Sequence, residues 1–327
     1  MPDSSKGQEL RTCPVCASPE VSETVELAER MFGMGGSFPY VRCAECDAMR
    51  IAKVPDDLAR YYPADYYAFQ DVPPTDYSQS LKMRFVRLRD RYEFTGTGGV
   101  GKAMSSIKSY PVNRYLWPAK LQPHERILDV GCGSGSLLKR LHNLGYNNLT
   151  GIDPYLSQPM EDEGLSLKRM ELGEVQGPFD VVMMHHVLEH IADQRGTMGE
   201  LHRLLAPGGR AVIRIPTISC EAWEIYRECW YQLDAPRHLI LHSRRSFRRL
   251  AEGSGFKVKS LIDDSIEDQF IYSEMYRQGI PLNPQNPQDQ ARFDDALSES
   301  MIPALAKRAE DLNAQGRGDM FCAILEP

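Results

Sequence analysis

Between Glu125 and Pro216, short apolar runs alternate with stretches whose apolar residues recur at helical spacing. RILDV (126–130), LTGID (149–153), LSLKRM (165–170), FDVVMM (179–184) and GRAVIRIP (209–216) predict five strands. SLLKRLHNLG (136–145) predicts the helix after the first strand, and a short helix is expected through Gly164 after the second. A further helix through GELHRLL (199–205) should end at the turn APGG. FDVVMM is apolar but for Asp180, as in a strand covered on both faces. Strands separated by helical stretches predict right-handed βαβ units and a parallel sheet. FKVKSLID (256–263) and MFCAILE (320–326) can close that sheet, with a helix predicted from Asp294 to Asn313 between them.

Upstream the pattern changes. Residues 10–50 hold paired cysteines, and 51–122 are rich in Tyr, Pro and basic residues, with a helix predicted from Ser80 to Phe94. GTGGVG (96–101) reads as a flexible joint. The expected division is a zinc-binding module at 1–55, a helical or linker region covering the active site at 56–122, and the catalytic domain at 123–327. No window of ~18 apolar residues predicts a membrane span, and MPDSSKGQEL has no signal-peptide core. With four scattered cysteines suited to a reducing compartment, a cytoplasmic location is expected. The formal net charge of −7 in 327 residues argues against a protein whose main task is gripping nucleic acid.

The segment Asp129-Val130-Gly131-Cys132-Gly133-Ser134-Gly135 lies between a predicted strand and helix. Glycines let the backbone turn sharply and approach a ligand, and the following helix aims its first N–H groups at it. Asp153 ends the next strand, where a carboxylate can accept hydrogen bonds from both hydroxyls of a ribose. A dinucleotide or S-adenosylmethionine would suit these features. The dinucleotide fingerprint needs glycine at position 136, which is Ser136. Asp129 is placed to reach the ammonium group of S-adenosylmethionine.

ILDVGCGSGSLLKRL, LTGIDP, FDVVMMHHVLEHIAD and LLAPGGRAVIRIP resemble, in order and at the usual separations, the motifs of class I S-adenosylmethionine-dependent methyltransferases. The resemblance implies a Rossmann-like α/β fold, with a mostly parallel seven-stranded sheet whose last strand is antiparallel. It implies cofactor contacts from Asp129, Gly131, Gly133 and Asp153, with Cys132 inside the loop and Pro154 after Asp153 in the same set. Glu171 and Leu172 would flank the adenine, and His185 and His186 would lie beside the methionine part and the transferred methyl.

Cys13, Cys16, Cys43 and Cys46 form two C-x-x-C pairs. Four thiolates satisfy tetrahedral Zn2+ and leave no open position, so the expected role is structural. A zinc module before a methyltransferase domain resembles a group of bacterial methyltransferases of sugar and polysaccharide biosynthesis. LARYYPADYYAF (58–69) and WYQLDAPRHLILHSRRSFRRLAEGSGFKV (230–258) are similar to that group too.

Methyl transfer from a sulfonium is an in-line displacement, so the protein mainly aligns nucleophile, methyl and sulfur. A sugar hydroxyl is a poor nucleophile while protonated, so a base should help. The candidates are His238, with Asp234 or Arg237 orienting the acceptor, and His186 and His190. His185 and His242 are also within range, and His190 is expected chiefly to cap or pack. RFVRLRDRY (84–92) and SRRSFRRL (243–250) read first as solvated helix faces, the latter alternatively as attracting a phosphate-bearing acceptor. Trp223, Tyr226, Trp230 and Tyr231 would stack on a sugar or pack in the core. The leading expectation is O-methylation of a small-molecule or glycan acceptor, including a nucleotide-linked sugar. The alternatives are an RNA methyltransferase with a zinc RNA-binding module, or a non-catalytic protein that binds S-adenosylmethionine.

Overall fold

The structure is a computed structural model that describes residues 11–63, 80–96, 98–106, 116–284, 287–296 and 301–327. The second half of LARYYPADYYAF, 64–69, therefore lies outside the described residues.

The parallel core follows the predicted runs. β4 (Ile127–Val130), β5 (Leu149–Ile152), β7 (Leu165–Lys168), β8 (Phe179–His185) and β9 (Leu205–Pro216) make its strands, and β11 (Lys257–Asp263) and β12 (Met320–Glu326) close it. β4 is buried at all four positions because it is central, paired in parallel to both β5 and β8. β12 lies between β9 and β11 and runs antiparallel to both, so the antiparallel last strand is present. The full order is β11-β12-β9-β8-β4-β5-β7-β6.

Eight strands are present where seven were expected. The extra one, β6 (Met160–Asp162), occupies the place of the expected short helix and pairs antiparallel with β7. Glu163 and Gly164 make the connection; Gly164 takes a φ of 84°, and a Cβ there would press on the Asn147 backbone at 2.7 Å. A left-handed glycine closing a two-residue turn favours a hairpin over a helix. The turn APGG is likewise absorbed into β9, where a register shift opposite Phe179 and Val181 takes up the additional residues as a bulge.

Helices cover the sheet. α3 (Ser136–Asn143) buries Leu138 and Leu141, and α4 (Gln194–Leu204) buries Met198, Leu201 and Leu204. α6 (Arg244–Gly253) starts at Ser243, whose side chain accepts from the Ser246 N–H, and buries Phe247 and Leu250. Upstream lie α1 (Leu81–Thr95) and α2 (Gly99–Ser105); of the expected flexible joint, residues 99–101 belong to α2 and residue 97 lies outside the described residues. Gly96 caps α1 in the left-handed region, and a Cβ on Gly101 would collide with the Leu88 carbonyl oxygen. α5 (Glu221–Tyr226) and α7 (Asp268–Arg277) flank the segment between β9 and β12. Of the helix predicted from Asp294 to Asn313, the first residues end α8 (Pro287–Ala296). The rest forms α9 (Ile302–Ala314), with Pro303 in its first turn, and 297–300 lie outside the described residues.

A second sheet of four strands joins β1 (Val21–Ala28), β2 (Ser37–Cys43) and β3 (Met49–Ile51) to β10 (Ile240–Leu241). The last strand comes from the chain that follows β9. Leu27, Tyr40, Met49 and Ile51 share one core with Trp223, Trp230, Leu239 and Ile240. The Tyr40 hydroxyl donates to the His238 carbonyl oxygen at 2.8 Å, fixing the 231–238 loop to the cysteine-bearing sheet.

Candidate functional site

The glycine loop leaves β4 with Gly131, Gly133 and Gly135 all at positive φ. At Gly131 a side chain would also strike the Val187 methyls. The Asp153 carboxylate accepts from the Gly133 N–H at 3.1 Å and the Tyr155 N–H at 2.8 Å, which ties the loop to the tip of β5. Asp129 lies beneath the loop, 4% exposed. Burial, and then the negative charge of Asp153, pushes its carboxyl up to about 7. The Cys132 sulfur sits 3.8 Å from the Gly133 carbonyl, and Pro154 is half-buried after Asp153. Glu171 caps the turn 172–174 reciprocally with Glu174, and Leu172 packs on the core below.

β8 delivers the histidines. His185 ends the strand, where burial, then Arg214 and His186, lowers its pKa to about 3, so its ring is neutral. His186 follows at a φ of 54°, a strained conformation for a non-glycine residue. An Arg214 Nη1–H donates to His186 Nε2 at 2.6 Å. A guanidinium only donates, so His186 carries its proton on Nδ1, 3.3 Å from Glu189 Oε1. Arg214 is held in turn by Asp264 and Met320.

The 231–238 loop brings the remaining candidates. His238 Nδ1 lies 2.8 Å from the Gln232 carbonyl oxygen, which can only accept, so Nδ1 bears the proton and Nε2 a lone pair. That Nε2 is 3.9 Å from Asp234 Oδ2 and 4.0 Å from Glu189 Oε1. His190 sits behind it, its ring edge-on to His238 at 4.7 Å between centroids. Its Nδ1–H donates to the Arg237 carbonyl at 2.9 Å. Burial, and then His238, lowers the His190 pKa to about 4. Burial pushes the Asp234 carboxyl up, but Arg237 outweighs it and holds the group ionised.

A cavity of about 460 Å3 opens on this wall. His186, Asp234 and His238 line it together with Met31 from the N-terminal region. Tyr231 and Gln232 form the loop side, and Asp268, Tyr272 and Tyr276 come from α7. His190 and His185 are not in the lining, and His242 points elsewhere, bonded to Gln194 at 2.8 Å and Ser246 at 3.2 Å. Arg237 is fully buried between Asp234 and Glu29, so it positions Asp234 and does not face the cavity.

Residues 108–261 match the family model described as a methyltransferase domain. The matched segment holds the glycine loop, the tips of β4, β5 and β8 and the 231–238 loop. A protein encoded in transposon TN4556 of Streptomyces fradiae is 28% identical over 229 residues, covering 62% of this chain and 61% of that protein. The ubiquinone biosynthesis O-methyltransferase of a Caulobacter strain is 33% identical over 100 residues, 27% of this chain and 39% of that enzyme. The chain thus spans less than two thirds of the length of these curated relatives. Among solved structures, the mycolic acid cyclopropane synthase CmaA1 complexed with SAH and CTAB is 15% identical. That pairing covers 74% of this chain and 98% of the other, with a TM-score of 0.42.

Beside the methyltransferase domain, Cys13, Cys16, Cys43 and Cys46 converge, their sulfurs all within 4.8 Å of one another. Each C-x-x-C ends in a residue of left-handed backbone, Ala17 at a φ of 63° and Asp47 at 71°. The two turns are alike: Ala17 N–H donates to Cys13 O at 2.7 Å and Asp47 N–H to Cys43 O at 3.0 Å. Arg195 of α4 donates to the Val15 carbonyl at 2.8 Å, and Ser243 to the Cys46 carbonyl at 3.3 Å, docking both turns on the domain.

Of the aromatic residues weighed for a sugar platform, only Tyr231 reaches the cavity. Trp223 and Trp230 belong to the shared core, and Trp230 Nε1–H donates to Asp319 at 3.2 Å. Tyr226 packs partly against that core beneath Arg277. In α6, Arg244 is spent on Asp263 at 2.7 Å and the Gly318 carbonyl at 3.1 Å. Sequence reasoning missed Glu189, Arg214, Tyr272, Tyr276 and Asp268. For Glu189 a signal existed, a carboxylate directly before His190 in VLEH; the others lie too far along the chain for spacing to reveal them.

Proposed function

We propose that this chain is an S-adenosylmethionine-dependent methyltransferase that O-methylates a sugar hydroxyl of a small-molecule or glycan acceptor held in the His186–Asp234–His238 cavity. The observation that carries the reading is that the glycine loop and the cavity wall share the end of β8: Gly131 abuts Val187, and Val187 follows His186 of the cavity lining. The loop has a buried carboxylate at its base, and the polar, aromatic cavity has an imidazole lone pair in its wall. The residues of the loop suit the cofactor: Asp129 for the ammonium, Asp153 for the ribose hydroxyls, and the left-handed Gly131 and Gly133 for close backbone approach. The bound cofactor supplies a methyl on a sulfonium, already activated for displacement. The protein's tasks are then to seat the acceptor oxygen in line and relieve it of its proton. His238 Nε2 is the lone pair it meets, backed by the carboxylates of Asp234 and Glu189 within 4.0 Å. The tyrosines of α7 and Tyr231 supply flat faces and hydroxyls suited to a sugar ring.

Cofactor binding should depend on pH through Asp129. Its carboxyl is raised to about 7 without ligand, and an ammonium partner favours the ionised form, so binding releases a proton below that pH. Affinity is expected to rise up to about tenfold per unit from pH 5 to 7 and then flatten. Calorimetry in buffers of different ionisation enthalpy reads the proton directly. Asp129→Asn should bind more weakly and lose the slope; a slope retained in that variant would refute the assignment.

The four cysteines are proposed to hold a structural Zn2+. Four sulfurs in two matched turns meet the demand of a closed tetrahedral site. The purified protein should contain one zinc per chain by elemental analysis. Cys46→Ser, or a strong chelator, should remove it and loosen β1–β3, seen as lost amide protection there while β4 and β8 stay protected. Full protection of β1–β3 in the zinc-free protein would contradict the role.

A further inference from the structure

We propose that Glu189, His190 and His238 form a second metal site, which takes one first-row divalent cation at the wall of the acceptor cavity. The ligand-capable atoms of the three residues lie within 4.8 Å of one another. The histidine tautomers are set from outside. His190 Nδ1–H is held by the Arg237 carbonyl at 2.9 Å and His238 Nδ1–H by the Gln232 carbonyl at 2.8 Å, which leaves each Nε2 as a lone pair. Backbone carbonyls that orient imidazoles in this way are the usual outer support of metal-bound histidines. Glu189 is 1% exposed, and among the described residues neither of its oxygens makes a hydrogen bond of ordinary geometry. His186 Nδ1–H stands 3.3 Å from its Oε1, itself turned by Arg214. Three acceptors thus converge with no proton between His190, His238 and the carboxylate, in a place where an uncompensated carboxylate is costly. Two imidazoles and one carboxylate suit Mn2+, Fe2+, Co2+ or Zn2+ and leave coordination positions open. His186 is the outer donor that orients Glu189.

The inference rests on the proposed methyl transfer only for its use. An acceptor hydroxyl bound to such a cation is more acidic. It loses its proton to water in the cavity, and its oxygen attacks the methyl carbon as the carbon–sulfur bond breaks toward sulfur. Without the cation, His238 Nε2 takes that proton itself.

The test is titration of the full chain, holding one Zn2+ per chain and dialysed free of excess zinc, with Mn2+, an ion that does not compete for four thiolates, followed by electron paramagnetic resonance of the free ion. One Mn2+ per chain is expected, with imidazole nitrogen modulation in the pulsed spectrum. Glu189→Gln and His238→Ala should each weaken binding at least tenfold with zinc content unchanged. If Glu189→Gln does not fold, His238→Ala, whose side chain reaches the cavity, carries the test alone. No bound Mn2+, bound Mn2+ without nitrogen modulation, or equal binding by the variants overturns the site. Methyl transfer without Mn2+ binding would sink this inference and spare the function; binding without transfer to any acceptor would do the reverse.

Discussion

Arg237→Met should lower folding stability by about 3–5 kcal/mol, a large share of the roughly 5–15 kcal/mol of an ordinary protein. The guanidinium is 0% exposed. It donates to both oxygens of Asp234 at 3.0 Å, to Glu29 at 2.9 Å and to the Tyr61 carbonyl at 2.9 Å, and lies over the Phe32 ring at 5.2 Å. Glu29 also accepts from the Phe32 and Met34 N–H groups, so one cation organises both the loop after β1 and the cavity loop. Removing it leaves two carboxylates out of water without a counter-charge. Arg237→Lys should recover less than half of the loss, because an ammonium cannot reproduce the planar fork that reaches both acids. Urea unfolding measures the effect; a loss under about 1 kcal/mol for Arg237→Met would mean that water replaces the guanidinium and the pairing is not structural.

The second large effect is on turnover. His238→Ala should reduce kcat by about 10²–10⁴-fold, the usual range for a lost proton-transfer group, while S-adenosylmethionine affinity stays within about twofold. The split follows from geometry: His238 lines the acceptor cavity, and the cofactor contacts proposed for the loop come from Asp129, Gly131, Gly133 and Asp153 on other strands. Single-turnover measurements with saturating cofactor separate the two. Unchanged kcat would remove His238 from the chemistry, and an equal loss of cofactor affinity would make it a binding residue.

The sheet was legible in the sequence because short apolar runs such as ILDV and FDVVMM recur between helical stretches at the spacing of βαβ units. What was not legible depended on contacts distant in sequence. β6 looked helical because three residues, Met160, Glu161 and Asp162, are too few to show a period, and the Glu163-Gly164 turn decides the hairpin. The pairing of β10 with β3 brings together residues some 190 positions apart by number. That pairing sets the 231–238 loop against the cysteine-bearing sheet. The candidate site was readable one residue at a time: His186, Asp234 and His238 all line the cavity. The roles around them were not. Arg237 looked like an acceptor ligand and is a buried strut, and Arg214 fixes the His186 tautomer from the facing strand, β9. Trp230, open in the sequence to sugar stacking or core packing, fills the core, since only three dimensions separate its face from that of Tyr231.

The measurement closest to the central claim is transfer of label from methyl-labelled S-adenosylmethionine by the purified protein to an extract of its own cells, with His238→Ala run in parallel. Fractions of anionic metabolites, glycans, RNA and protein are counted separately. The account predicts label in the nucleotide-sugar or glycan fraction, released as a methyl ether of a sugar on hydrolysis and absent with the variant. Label in RNA, or none in any fraction from a protein that binds the cofactor, would contradict it.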